Sequence, residues 1–280
     1  MSNIELTKSN APIGIFDSGV GGLTVFKEII KFLPYEDIIY FGDVGRTPYG
    51  GRSKEIIISF TRQDVAFLID QNVKFIISAC NTASSVALEE IRQNYSIEII
   101  GVIEPGAKAA IEKTKNGRIG VIGTHATINS NAYAKIIHNI EPKIKVFSLA
   151  CPLFVPLVEE GYIDREATYL IAQDYLRTML DVKADTLVLG CTHYPLLKDV
   201  IMDVMGEKVT LIDSGEETAR TVYQKMTEGN LLNPKASQRP AEQGEYKFFV
   251  SDVPEKFSKV ASRFLGKEVQ KITRVDISGY

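Results

Sequence analysis

The chain has 280 residues, 45% of them apolar and 24% charged, with a formal net charge of −3. That balance suits a soluble globular protein and is long enough for two domains. It leaves no basic footprint for nucleic acid, and no run of about 18 apolar residues marks a membrane span.

The opening stretch MSNIELTKSNAP lacks the apolar centre of a signal peptide, so cytoplasmic residence is the expectation. Cys80, Cys151 and Cys191 are then expected as free thiols. Predicted strands follow in chain order: 13–17, 37–43, 74–80, 98–103, 118–124, 145–151, 186–191 and 209–213, then 246–252 and 271–277. Most are continuous apolar runs, the pattern of strands covered on both faces. Helical patterns lie between them. SKEIIISFTRQDVAFLIDQ carries Ser53 as a cap, and TASSVALEEIRQN, REATYLIAQDYLRTMLD and EETARTVYQKM follow. VPEKFSKVASRFLG places Pro254 at a helix start and Gly266 after its end. The polar stretch 230–246 reads as a long surface loop. This alternation predicts an α/β fold with mainly parallel sheets flanked by helices.

A weak repeat runs through the chain. PIGIFDSG (12–19) resembles RIGVIGTH (118–125), and KFIISACNT (74–82) resembles DTLVLGCTH (185–193). Each half opens with one strand and presents a cysteine after a later one. Ligands of parallel α/β folds bind beyond the carboxyl ends of the strands. Those ends carry Asp17-Ser18, Asp43, Cys80-Asn81-Thr82, Thr124, Cys191-Thr192-His193 and Asp213.

Familiar motifs fail here. FDSGVGGLTV has Thr24 where a dinucleotide loop needs its last glycine, and no G-K-[ST] follows. It reads instead as a tight turn that lets the backbone approach something small. Cys191 and His193 lack the further ligands of a zinc site. A cysteine-histidine hydrolase is chemically possible but leaves Cys80-Asn81-Thr82 unexplained. Two pseudo-two-fold halves facing each other across a cleft would offer one thiol to each side of a ligand. Inverting a carbon stereocentre by proton exchange needs that arrangement. A free thiol has a pKa of roughly 8.5, so nearby groups must assist, with Asp17 and His193 as candidates.

DSGVGGLTV, GDVGRTPYG, ACNTAS, CPLFVPLVEEG and GCTHYP, in this order, closely resemble the cofactor-independent glutamate racemases. The resemblance runs from about Pro12 to Asp213 and continues more weakly beyond, with the first ten residues as an extension. It implies an active site between two similar domains, 1–103 with 214–280 and 104–213. Cys80 and Cys191 match the proton-transferring thiols. Asp17 matches the acid beside the first thiol and the substrate ammonium. Ser18, Tyr49 and Gly50 match residues that hold the side-chain carboxylate. Asn81, Thr82 and Thr192 match those at the amino-acid end, with Thr124 and Thr127 lining the same region. His193 and Glu159 match groups near the second thiol. The implied role is supply of D-glutamate for peptidoglycan, without cofactor or metal, by a homodimer. A racemase for aspartate or a non-catalytic amino-acid binder are the alternatives. Cys151, His125 and His138 read as structural or surface residues.

Overall fold

The structure, a computed structural model, describes residues 9–234, 243–266, 268–269 and 271–280. Most of the extension and the middle of the 230–246 loop lie outside these. Two sheets carry the fold, and every strand pairing in them is parallel. The six-stranded sheet has the order β10-β9-β2-β1-β3-β4, and the four-stranded sheet has the order β6-β5-β7-β8. The larger sheet takes β1 (Ile13–Asp17), β2 (Ile38–Gly42), β3 (Phe75–Ser78) and β4 (Ile99–Gly101). The smaller sheet uses β5 (Arg118–Gly123), β6 (Lys145–Ala150), β7 (Thr186–Gly190) and β8 (Thr210–Asp213). β9 (Tyr246–Val250) and β10 (Ile272–Arg274) then return to extend the larger sheet past β2.

The repeat noticed in the sequence is a repeat of topology. β2-β1-β3-β4 and β6-β5-β7-β8 have the same strand order, so β3 and β7 are equivalent. In each unit the order reverses beside the opening strand, which is where a crevice forms at the carboxyl ends.

The central strands β1, β2, β3 and β7 are buried along their whole length, as continuous apolar runs require. β6 departs from that expectation. It is an edge strand, partly to fully exposed at every position, because nothing pairs beyond it in its sheet. The short β10, an edge strand of the six-stranded sheet, is similarly open.

Ser53 caps the helix Lys54–Asp70 as read, its hydroxyl accepting from the Ile56 amide at 3.4 Å. Pro254 opens and Gly266 follows the last helix, Pro254–Leu265, with Gly266 at φ 69°. TASSVALEEIRQN is not one helix. It breaks at Ala87 into Asn81–Val86 and Leu88–Arg92, where Ser84 and Leu88 press on Gly101 of β4. The helices Leu23–Phe32, Ile103–Lys113, His125–Asn129, Ala132–Ile140, Phe154–Glu159, Glu166–Asp181, Lys198–Met205 and Ser214–Glu228 complete the layers.

The helices Ile103–Lys113 and Ser214–Glu228 pack on each other at the two crossings between the sheets. One apolar cluster runs from Ile13 and Phe26 through Ala107 to Val121 and Leu187, so both sheets share a core. Each such large side chain contributes about 1.5–3 kcal/mol by burial. No helix among the described residues is long and apolar enough to cross a membrane.

Candidate active site

Cys80 leaves β3 and caps the helix Asn81–Val86, its sulfur accepting from the Ala83 amide at 3.5 Å. The same thiol donates to Ser18 Oγ at 3.6 Å. Asp17 ends the neighbouring β1 and is wholly buried. Its Oδ2 accepts from the Gly19 amide at 2.9 Å, whereas its Oδ1 has no hydrogen-bond partner among the described residues. Burial raises the Asp17 carboxyl above its usual range, although the His193 charge and the Gly22 and Gly19 amides pull it down. Burial and the Asp17 charge push the Cys80 thiol up to about 12, so at neutral pH it holds its proton.

Cys191 leaves β7 at the equivalent place. Its sulfur lies 3.9 Å from His193 Nδ1, and His193 Nε2 lies 3.0 Å from Glu159 Oε1. Burial alone would lower the imidazole, but hydrogen bonds to Cys191 and Glu159 outweigh it and raise His193 to about 10. His193 is therefore protonated at neutral pH and can pair with a thiolate beside it. Arg263 and Phe264 reach this group from the last helix. Arg263 donates to the Glu159 carbonyl, and the Phe264 ring meets the imidazole edge-on with centroids 5.5 Å apart. Glu160, next to Glu159, is exposed.

Side chains that follow strands of both sheets, close to the two thiols in sequence, meet here. Thr82 Oγ1 lies 2.9 Å from Thr124 Oγ1 and 3.4 Å from Thr127 Oγ1. Thr124 also caps the helix His125–Asn129. Thr24 donates to the Thr192 carbonyl at 2.9 Å. The glycines of FDSGVGGLTV serve this contact. A Cβ at Gly22 would fall 2.5 Å from the Asp17 Cβ, and one at Gly21 would strike Thr192 and His193. Gly50 backs onto Thr124 in the same way, with 2.6 Å for an added Cβ. Its turn, Tyr49–Gly51, is a single 3₁₀ turn whose first amides lack acceptors within it. The Tyr49 side chain points inward, its hydroxyl on Asp43 and Asp64, so this turn offers a ligand its backbone.

Cys80, Cys191, Asn81, Thr82, Thr192 and His193 are all buried, whereas Ser18, Gly50 and Thr124 are half-buried. A cleft of about 570 Å³ lined by Arg92, Glu104, Lys108, Arg220 and Lys225 lies elsewhere and reaches neither thiol. Among the described residues no three His, Cys, Asp or Glu side chains converge as metal ligands.

Residues 52–222 match the Asp/Glu/hydantoin racemase family. A glutamate racemase of Geobacter metallireducens is 53% identical over 265 residues, covering 95% of this chain and 96% of that one. The chain belongs to the Asp/Glu/hydantoin racemase family. Solved racemases share its fold. The glutamate racemase of Francisella tularensis, in complex with D-glutamate, is 42% identical with a TM-score of 0.89, covering 97% of this chain and 100% of that one. A glutamate racemase isoform of Bacillus anthracis is also 42% identical, with a TM-score of 0.90 over 95% and 97% of the two chains.

Within this racemase frame the structure adds residues that sequence patterns did not single out. Tyr133 donates to Asn81 Oδ1 at 2.8 Å and lies 3.0 Å from Ser214 Oγ, which donates to the Leu189 carbonyl of β7. That chain holds Asn81 through its Oδ1. Asp64 could have been noticed as an acid on the apolar stripe Ile57, Thr61, Val65, Leu68. Cys151 is packed and buried, and His125 and His138 are exposed, as expected.

Proposed function

We propose that the protein interconverts L- and D-glutamate by direct α-proton transfer between Cys80 and Cys191, without a cofactor. One observation carries the reading: the two thiols follow equivalent strands, β3 and β7, of two sheets with the same order. One thiolate takes the proton from Cα, the C–H electron pair moves toward the α-carboxylate, and the opposite thiol protonates the other face. The thiols thereby exchange protonation states. Asp17 and Ser18 attend the first thiol, and His193 and Glu159 the second. The unpartnered Oδ1 of Asp17 suits the substrate ammonium. Asn81, Thr82 and Thr192, with Thr127 and Thr124 beside them, hold the amino-acid end. Ser18 and the Tyr49–Gly50 amides hold the side-chain carboxylate.

Proton transfer by a placed group supplies about 10²–10⁴-fold. The rest comes from neutral donors preorganised around the α-carboxylate and from water being shut out when substrate is held. With both thiols buried, the two units, 1–103 with 214–280 and 104–213, part to admit substrate. The setting that goes with this reading is a cytoplasmic homodimer supplying D-glutamate for peptidoglycan. Similarity to glutamate racemases along nearly the whole chain supports it. The test is polarimetry on each enantiomer with purified protein and no added pyridoxal phosphate or metal. Both enantiomers should run to one racemic endpoint, and an unchanged rotation from both would overturn the proposal.

A further inference from the structure

The turn at Tyr49–Gly50 rests on a buried cluster that the reaction itself does not use. Asp43 follows β2, and Asp64 lies in the middle of the helix Lys54–Asp70, both without solvent exposure. The Tyr49 hydroxyl touches Asp43 Oδ2 and lies 2.9 Å from Asp64 Oδ2. A phenol has a single hydrogen. It can donate to one carboxylate, and the second contact is a hydrogen bond only when that carboxyl group is itself the donor.

Arg46 decides which acid that is. Its Nε donates to Asp43 Oδ2 at 2.6 Å, and its Nη2 donates to Asp64 Oδ1 at 3.1 Å. The remaining Nη1 donates to Gln63, and the guanidinium lies 4.1 Å over the Phe60 ring. Asp43 Oδ2 thus collects two donors, as an ionised oxygen does. A proton on Asp43 Oδ1 would find no acceptor, since that atom has no partner among the described residues. Asp64 instead has one oxygen on Arg46 and the other on the phenol, where a proton completes the set. Burial and the Asp43 charge raise the Asp64 carboxyl well above its ordinary value, despite Arg46 and Tyr49.

We infer that Asp64 is a neutral acid which, with the Asp43–Arg46 ion pair, forms an uncharged support holding the Tyr49–Gly50 amides in place for a substrate carboxylate. Asp64 is a positioning residue, and its role rests on the reading that this turn receives that carboxylate. An ionised Asp64 would place net negative charge beneath the subsite and repel its ligand.

Infrared difference spectra of the unmodified protein and Asp64→Asn at neutral pH read the proton directly. The carbonyl band of a protonated carboxyl should vanish in Asp64→Asn, and its persistence would overturn the inference. Kinetics read the positioning. Asn reproduces a neutral acid, so Asp64→Asn should keep KM for glutamate close to that of the parent. Asp64→Leu should raise KM about tenfold with a much smaller change in kcat. Should Asp64→Leu not fold, Tyr49→Phe removes the shared hydroxyl and should raise KM in the same way. Equal KM changes in Asp64→Asn and Asp64→Leu, or no rise in Tyr49→Phe, would contradict the positioning role. A protein inactive on glutamate would sink the functional reading alone, because the infrared band still decides the state of Asp64.

Discussion

Gly21 lies directly against His193. A methyl group at position 21 would sit 2.5 Å from His193 Nδ1 and 2.3 Å from Thr192 Oγ1. Neither neighbour can yield easily, since both are buried, and Nδ1 is also the atom facing the Cys191 sulfur. Gly21→Ala should therefore fold but displace the imidazole. A misplacement of about 1 Å can cost about 10²-fold in rate. Enantiomer conversion should fall on that order, with a stability loss of about 1–3 kcal/mol from the overpacked contact, and near-normal conversion would show that His193 placement is not critical.

Cys80→Ser and Cys191→Ser keep the shape of the site and replace a reactive thiol by a weakly acidic hydroxyl. Each should lower interconversion by at least about 10²–10⁴-fold. Cys151→Ala should stay near normal, because Cys151 sits in the packed interior with its sulfur 3.9 Å from the Leu149 carbonyl. Turnover by each variant, started from either enantiomer, checks all three.

His193 couples stability to pH. Its imidazole is raised from 6.5 to about 10 in the folded protein. Above 6.5 the unfolded chain loses a proton that the folded chain keeps, so the stabilisation is complete below 6.5 and is lost as pH rises toward about 10. Above 9.0 the raised Cys80 thiol adds a loss of the same sign. Denaturant midpoints should fall between 6.5 and 9.0 in the parent, and His193→Asn should flatten that slope. Glu159→Gln should flatten it partly, because it removes one of the two partners that hold the proton.

Tyr133→Phe leaves Asn81 Oδ1 without its donor and Ser214 Oγ with only the Leu189 carbonyl, both in the interior. Stability should drop by about 1–3 kcal/mol in urea titration. Turnover should drop as well, since the Tyr133 hydroxyl that holds Asn81 Oδ1 is lost. A stable variant with normal turnover would remove Tyr133 from the account.

The legible part of the site was the part written locally. Asp17-Ser18, Cys80-Asn81-Thr82 and Cys191-Thr192-His193 each follow an apolar run, so strand ends could be located and the two cysteines matched. The equivalence of β3 and β7 needed strand order, which depends on pairings between distant segments. Tyr133 and Ser214 were invisible for the same reason: the partners of Tyr133, Asn81 and Ser214, are remote from it in sequence, and neither Tyr133 nor Ser214 stands in a motif. The glycines at 21 and 22 read as room for a small ligand, whereas they admit Asp17, Thr192 and His193. β6 looked like any buried strand because an apolar run does not reveal whether a further strand lies beside it.

Conversion of ordinary L- and D-glutamate in deuterium oxide tests the facing thiols most directly. The thiol that returns the proton will have exchanged with solvent before turnover. The account predicts that product formed in the first turnovers carries deuterium at Cα while recovered substrate still carries protium, in both directions. Product that retains the substrate's own proton, or deuterium appearing equally early in substrate and product, would mean that one group serves both faces and would contradict it.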